Sequence, residues 1–180
     1  MATWQLDNAH SSADFTVRHM MVTNVRGSFG TVSGTIEFDP ENPAAASVNA
    51  TIDVSTINTN NADRDGHLRS GDFFDVETYP SITFKSTNVE STGDNTANVT
   101  GDLTIRDITK PVTLEVEYLF GGTSPFGDVR AGFEARGSIN REEFGLTWNQ
   151  ALESGGVLVG KDVKISLDVQ GVKVTEEATA

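Results

Sequence analysis

The chain has 180 residues, 13 of them basic and 26 acidic, for a net charge of −13, and it contains no cysteine. That charge repels nucleic-acid phosphates and anionic headgroups, and the lack of cysteine excludes disulfides, thiolate metal sites and cysteine nucleophiles. Apolar residues make up only 37% and must be placed on one face of each element, while 17 glycines and abundant threonine, valine and asparagine favour strands with frequent turns.

In chain order, residues 14–20 alternate first, with Phe15, Val17 and His19 on one face and Thr16 and Arg18 on the other. Residues 30–38 repeat the pattern, setting Val32, Ile36 and Phe38 against Thr31, Ser33 and Glu37. Shorter combs follow at 48–54 and 82–85. Between these two, residues 60–74 lose the alternation. A short polar helix is expected around 61–71, followed by the apolar pair Phe73 and Phe74. Alternation returns at 97–106 with Val99 and Leu103, and at 112–118 with Val116. It continues at 129–139 with Phe133, and at 163–170 with Ile165 and Leu167. A second long connection, 140–156, carries Phe144 and Trp148; long connections of this kind often serve as lids or entrances.

Eight one-sided strands without intervening helices predict an all-β antiparallel fold, either a closed barrel or a two-sheet sandwich. An eight-stranded barrel is either just filled by side chains or just holds a small ligand. The apolar faces here include Gly30, Gly34, Ala50, Ala97, Gly101, Ala131, Ala135 and Gly137. Such small residues either leave a cavity, or mark tight bends where strands coil or face bulky partners across the core. The length suits one domain over 1–175 with a frayed tail at 176–180. Met1 to Asp7 show neither the basic nor the apolar region of a leader, so none is expected, and no window approaches the ~18 apolar residues of a membrane helix. The expected location is cytoplasmic, or periplasmic or secreted if a signal has been removed.

Little in the sequence points to catalysis, so no enzyme, cofactor or metal is expected. The stretch Gly30-Thr31-Val32-Ser33-Gly34 places its serine one position too late for a nucleophile elbow, and no phosphate loop or HExxH motif occurs. His10, His19 and His67 lack metal-helix spacing. Residues 61–72 resemble a calcium loop, but begin with Asn61, end with the short Asp72 and lack flanking amphipathic helices. His19 is either a core histidine with one partner or a polar anchor for a ligand head group.

Several blocks resemble the YceI-like family of bacterial polyisoprenoid-binding proteins. These are Trp4-Gln5-Leu6-Asp7 with His10-Ser11, then Phe15-Thr16-Val17-Arg18-His19 and Gly27-Ser28-Phe29. The central block runs from Arg64-Asp65-Gly66-His67-Leu68-Arg69-Ser70-Gly71 through Asp72-Phe73-Phe74-Asp75 to Tyr79-Pro80. Two further blocks are Gly101-Asp102-Leu103-Thr104-Ile105-Arg106-Asp107-Ile108-Thr109-Lys110-Pro111-Val112 and Arg141-Glu142-Glu143-Phe144-Gly145-Leu146.

The resemblance implies a lipocalin-like, eight-stranded antiparallel barrel holding a long isoprenoid chain, such as a polyprenyl phosphate or a quinone tail. Fatty-acid-like ligands occur in other members. The expected role is a carrier or sequestering protein. Its walls would be Phe15, Val17, Val32, Ile36 and Val99, with Leu103, Val116, Phe133, Ile165 and Leu167. Phe73, Phe74, Phe144 and Trp148 would close the ends. His19, Arg69 and Arg141 are candidates for a head group, with salt bridging to surface carboxylates as the alternative for the two arginines. Competing readings are a filled barrel acting as a stress or interaction protein, and a lipid enzyme using His19 and His67. A homodimer is left open.

Overall fold

The computed structural model describes residues 1–153 and 155–175; the expected tail at 176–180 lies outside the described residues. Its strands are β1 (Ala2–Leu6), β2 (Ser12–His19), β3 (Thr23–Phe29), β4 (Val32–Phe38), β5 (Ser47–Asp53) and β6 (Ile57–Asn58). They continue with β7 (Ser81–Ser91), β8 (Thr96–Ile105), β9 (Ile108–Thr123), β10 (Val129–Asn140) and β11 (Val159–Lys173), and α1 spans Ala62–Arg69. All eleven strands join one antiparallel sheet that closes where β11 meets β1.

Eleven strands make only eight staves. One edge of β11 pairs first with β2, from Val159↔His19 to Asp168↔Ser12, and then with β1 at Gly171↔Leu6. The next stave divides likewise, β3 lying against β2 and β4 against β1. The third is β5 with β6. The result is the expected eight-stave barrel with a short helix.

The breaks in these three staves line up as one crease. There side chains replace the missing ladder bonds, because a backbone donor left unpaired inside a sheet is costly. Asn8 accepts from the Val32 N–H at 2.9 Å, and the Thr56 hydroxyl accepts from Gly30 and Thr31 at 2.9 and 3.3 Å. The crease also corrects the comb at 48–54. Val54 has left the strand for a 3-10 turn, because the Asp53 carboxylate caps the Ser55 N–H.

The helix occupies Ala62–Arg69 within the expected 61–71, with Asn61 capping it from outside through the Arg64 N–H. Eight mostly polar residues cannot hold a helix alone in water. Tertiary contacts hold this one. Buried Asp65 accepts from both the N–H and the hydroxyl of Thr59, and Arg64 donates to Thr59. Leu68 packs on the core. The helix lies at the same end of the barrel as the β8–β9 turn at 106–107 and the connecting residues 141–153 and 155–158, called here the helix end. The β4–β5, β7–β8 and β9–β10 turns form the far end.

Inward glycines account for no open space. A Cβ on Gly101 would overlap the Phe84 ring, one on Gly137 would overlap Leu114, and one on Gly34 would overlap the Asn49 carbonyl oxygen. Gly101 and Gly137 thus face bulky partners, whereas Gly34 marks a tight bend with a φ of +137°.

Candidate functional site

A cavity of about 360 Å³ runs through the barrel, within the ~300–1,000 Å³ range of small-molecule sites. Every stave contributes to its wall, because every strand turns its apolar face inward. Phe15 and Val17 line it from β2, and Val32 and Ile36 from β4. Val99 and Leu103 line it from β8, Val116 from β9, Phe133 from β10, and Ile165 and Leu167 from β11. Burial shows where the space lies. Val32 and Ile36 are buried, whereas Val112, Leu114, Val163, Ile165 and Leu167 point inward and are only half-buried. The unfilled volume therefore borders β9 and β11, and β2 and β5 as well, where Phe15, Val17 and Ile52 are also half-buried.

At the helix end the wall is a stack of side chains. Phe73, Phe74 and Leu68 face the cavity, and Phe74 meets Phe29 edge-on at 6.0 Å. Phe144 and Trp148 do not line it. Phe144 is buried behind, and Trp148 stands edge-to-face on His67 at 4.7 Å and beside Phe73 at 5.5 Å. The four aromatics expected to close both ends thus gather at one.

Arg141 is 3% exposed and lies at this closed end. Its guanidinium donates to the backbone carbonyls of Gly160, Leu146, Trp148 and Val159 at 2.5–3.2 Å. Burial lowers its pKa, and nearby Glu142 opposes the shift. No salt bridge reaches Arg141 among the described residues, so the expected alternative of carboxylate pairing does not apply. The side chain instead ties Leu146 and Trp148 to Val159 and Gly160 at the barrel end. Arg69 is used in the same way, donating to the Ser55 and Ile57 carbonyls rather than to an acid.

His19 falls at the last rung of β2 opposite Val159, beyond a register shift in β11 that breaks the alternation. It neither lines the cavity nor has a side-chain hydrogen bond among the described residues, so neither expected role fits its position. His67 bonds Asp72 at 2.9 Å. No group of three or more histidines, cysteines or acids capable of holding a metal occurs among the described residues. The calcium-like stretch is instead the helix. No helix among the described residues is long and apolar enough to cross a membrane.

The mouth lies at the far end, where exposed residues line the cavity: Pro40, Asp94, Asn95, Thr96 and Phe120. Sequence patterns did not reveal it. From the mouth an aromatic series leads inward, Phe120 to Tyr118 at 5.2 Å, Tyr118 to Phe133 at 5.5 Å and Phe133 to Phe38 at 5.3 Å.

Together these features define a hollow antiparallel β-barrel with an apolar interior, plugged at one end and open at the other. The chain belongs to the YceI-like family: the profile of the YceI-like domain matches residues 4–171. A UPF0312 protein of Staphylococcus aureus is 41% identical over 171 residues, covering 94% of this chain and 97% of the relative. Among solved structures, BcnA of Burkholderia cenocepacia superimposes with a TM-score of 0.81 at 27% identity, over 92% of this chain and 98% of that one. The Campylobacter jejuni YceI protein gives 0.74 at 29% identity, over 88% and 90%. A polyisoprenoid-binding domain from Saccharophagus degradans, implicated in plant cell wall breakdown, shares the fold with a TM-score of 0.71 at 16% identity, over 97% and 100%.

Proposed function

We propose that the barrel binds a long apolar molecule of the polyisoprenoid class and carries or sequesters it. The observation that supports this most is the continuous apolar cavity open at one end. The binding activity of the Saccharophagus degradans domain agrees with it. Withdrawing about 300 Å² of ligand from water yields about 7.5 kcal/mol at ~25 cal/mol per Å², before ordering costs. Phe15, Val17, Phe133, Ile165 and Leu167 would provide much of that contact.

The charge layout favours a neutral head group, such as a quinone or an alcohol, over a phosphate. The mouth offers Asn95 and Thr96 beside the acidic Asp94, while Arg141, the cation on the cavity wall, is committed to backbone carbonyls at the opposite end. Native mass spectrometry of the purified protein, followed by organic extraction, tests the reading. A stoichiometric isoprenoid or long acyl species is the expected result. Clean protein that also takes up no added prenol or quinone would overturn it and leave an empty barrel with some other role.

A further inference from the structure

The mouth carries an apolar surface that the interior does not account for. Between Phe133↔Tyr118 and Ala131↔Gly121 the β9–β10 ladder slips, so that Leu119 and Phe120 together oppose Gly132. This is a β-bulge, a device that re-aims a side chain beside functional sites. Phe120 takes φ +70°, a conformation that aromatic residues rarely adopt and that persists only when its surroundings impose it. The outcome is a ring that lines the cavity and is still 61% exposed. Further along the same hairpin Phe126 is 90% exposed. Its turn is well built: Phe126 N–H donates to the Ser124 hydroxyl, Gly127 N–H to the Ser124 carbonyl, and Ser124 N–H to the Asp128 carbonyl. Phe126 is held out into solvent by a turn that is itself ordered.

We propose that this hairpin tip docks the mouth on a zwitterionic lipid surface, where cargo enters and leaves. The inference rests on the carrier reading for its purpose, since a long apolar chain is held in bilayers rather than in water and must pass this opening. The choice of surface comes from charge. Asp39, Glu41 and Asp94 lie in the turns of this end, Asp128 being paired with Arg130 at 2.9 Å, and the net charge of −13 repels anionic headgroups, so aromatic insertion into neutral lipid remains as the attraction.

Two measurements decide it. Cargo-free protein is sedimented with phosphatidylcholine vesicles. Wild type is expected to co-sediment, F126S and F120S/F126S to lose about tenfold or more of the binding, and added phosphatidylserine to weaken it. F126S alone guards against misfolding, because that ring has almost no protein contacts. Release of dansyl-labelled geranylgeraniol to phosphatidylcholine vesicles is then timed. The wild-type rate should rise with vesicle concentration, and that of the double variant should be slow and flat. Equal vesicle binding by wild type and variants, or a wild-type rate independent of vesicle concentration, overturns the proposal. So does a wild-type dimer that F126S dissociates while no vesicles are bound, which would make a second copy the occupant. Failure of the protein to take up the labelled prenol counts against the carrier reading, while the sedimentation result still decides the docking surface.

Discussion

Replacing Arg141 with methionine keeps apolar volume at the closed end but removes every donor of the guanidinium. The carbonyls of Gly160, Leu146 and Trp148 then lose their side-chain donor inside the plug, while that of Val159 keeps the Asn149 amide at 2.8 Å. A buried acceptor left unpaired costs about 1–3 kcal/mol. Relief from burying a cation, together with water reaching the outer carbonyls, offsets part of this sum. A net loss of about 3–5 kcal/mol is expected, in the range for breaking one side of a buried polar network. For a chain of this size that lowers the melting temperature by about 10 °C. Arg141→Lys should recover only a small part, because a compact ammonium cannot span four carbonyls. Thermal and urea melts followed by circular dichroism give the stability. Uptake of geranylgeraniol and of its phosphate, measured well below the melting temperature, gives the ligand side. If Arg141 acts as a staple, both ligands are affected alike. A melting temperature within about 2 °C of wild type, together with a selective loss of the phosphate, would refute the reasoning and make Arg141 a head-group anchor.

Ala135 faces the hollow from β10, so Ala135→Trp should fill it, leaving circular dichroism unchanged while prenol affinity falls about tenfold or more; unchanged affinity would place the ligand elsewhere. Two glycines should respond with opposite sign in urea melts. Gly34→Ala drives a Cβ into the Asn49 carbonyl at φ +137° and should cost about 3 kcal/mol or more, while Gly66→Ala, with nothing within 4 Å inside α1, should gain about 0.5–1 kcal/mol. Asp7 is held below its ordinary 3.8, first by His10 and further by the Ala9 N–H and Arg130. A carboxyl depressed in the folded state contributes its stability in full above 3.8 and loses it as pH falls through the lowered value. Wild type should therefore lose more of its urea midpoint than Asp7→Asn between about pH 5 and pH 2; parallel curves would contradict the link.

Alternation made the barrel legible, because a period of two with one apolar face has few other solutions. The strands it missed are those where a glycine stands in for an apolar residue or where the run is short. In β3, Gly27 takes the inward position and is covered by the Phe15 ring from the next stave, so the pattern fades in sequence while the packing stays intact. β1 is only five residues long. The wall positions followed from inward parity. Polar roles did not, since neither Arg141 nor Arg69 carries any local mark of the distant carbonyls it serves. His19 continued an alternation that a register shift in β11 had already ended. The mouth depends on a bulge at Phe120, and bulges leave no trace in periodicity.

The crease divides the barrel into unlike halves. Five staves, β7 to β11, are continuous, whereas the other three are jointed where Asn8, Thr56 and the Gly30-Thr31 pair meet. The joint is held by a few side-chain bonds, and the β1–β11 seam beside it has only three paired rungs. Strain applied from within will therefore be relieved on the jointed flank before the continuous one. A thicker or kinked occupant is expected to widen this compliant gusset rather than the stiff shell of β7 to β11. Amide protons along the joint should be the first in the sheet to exchange, and loading should slow them more than those of β9 and β10.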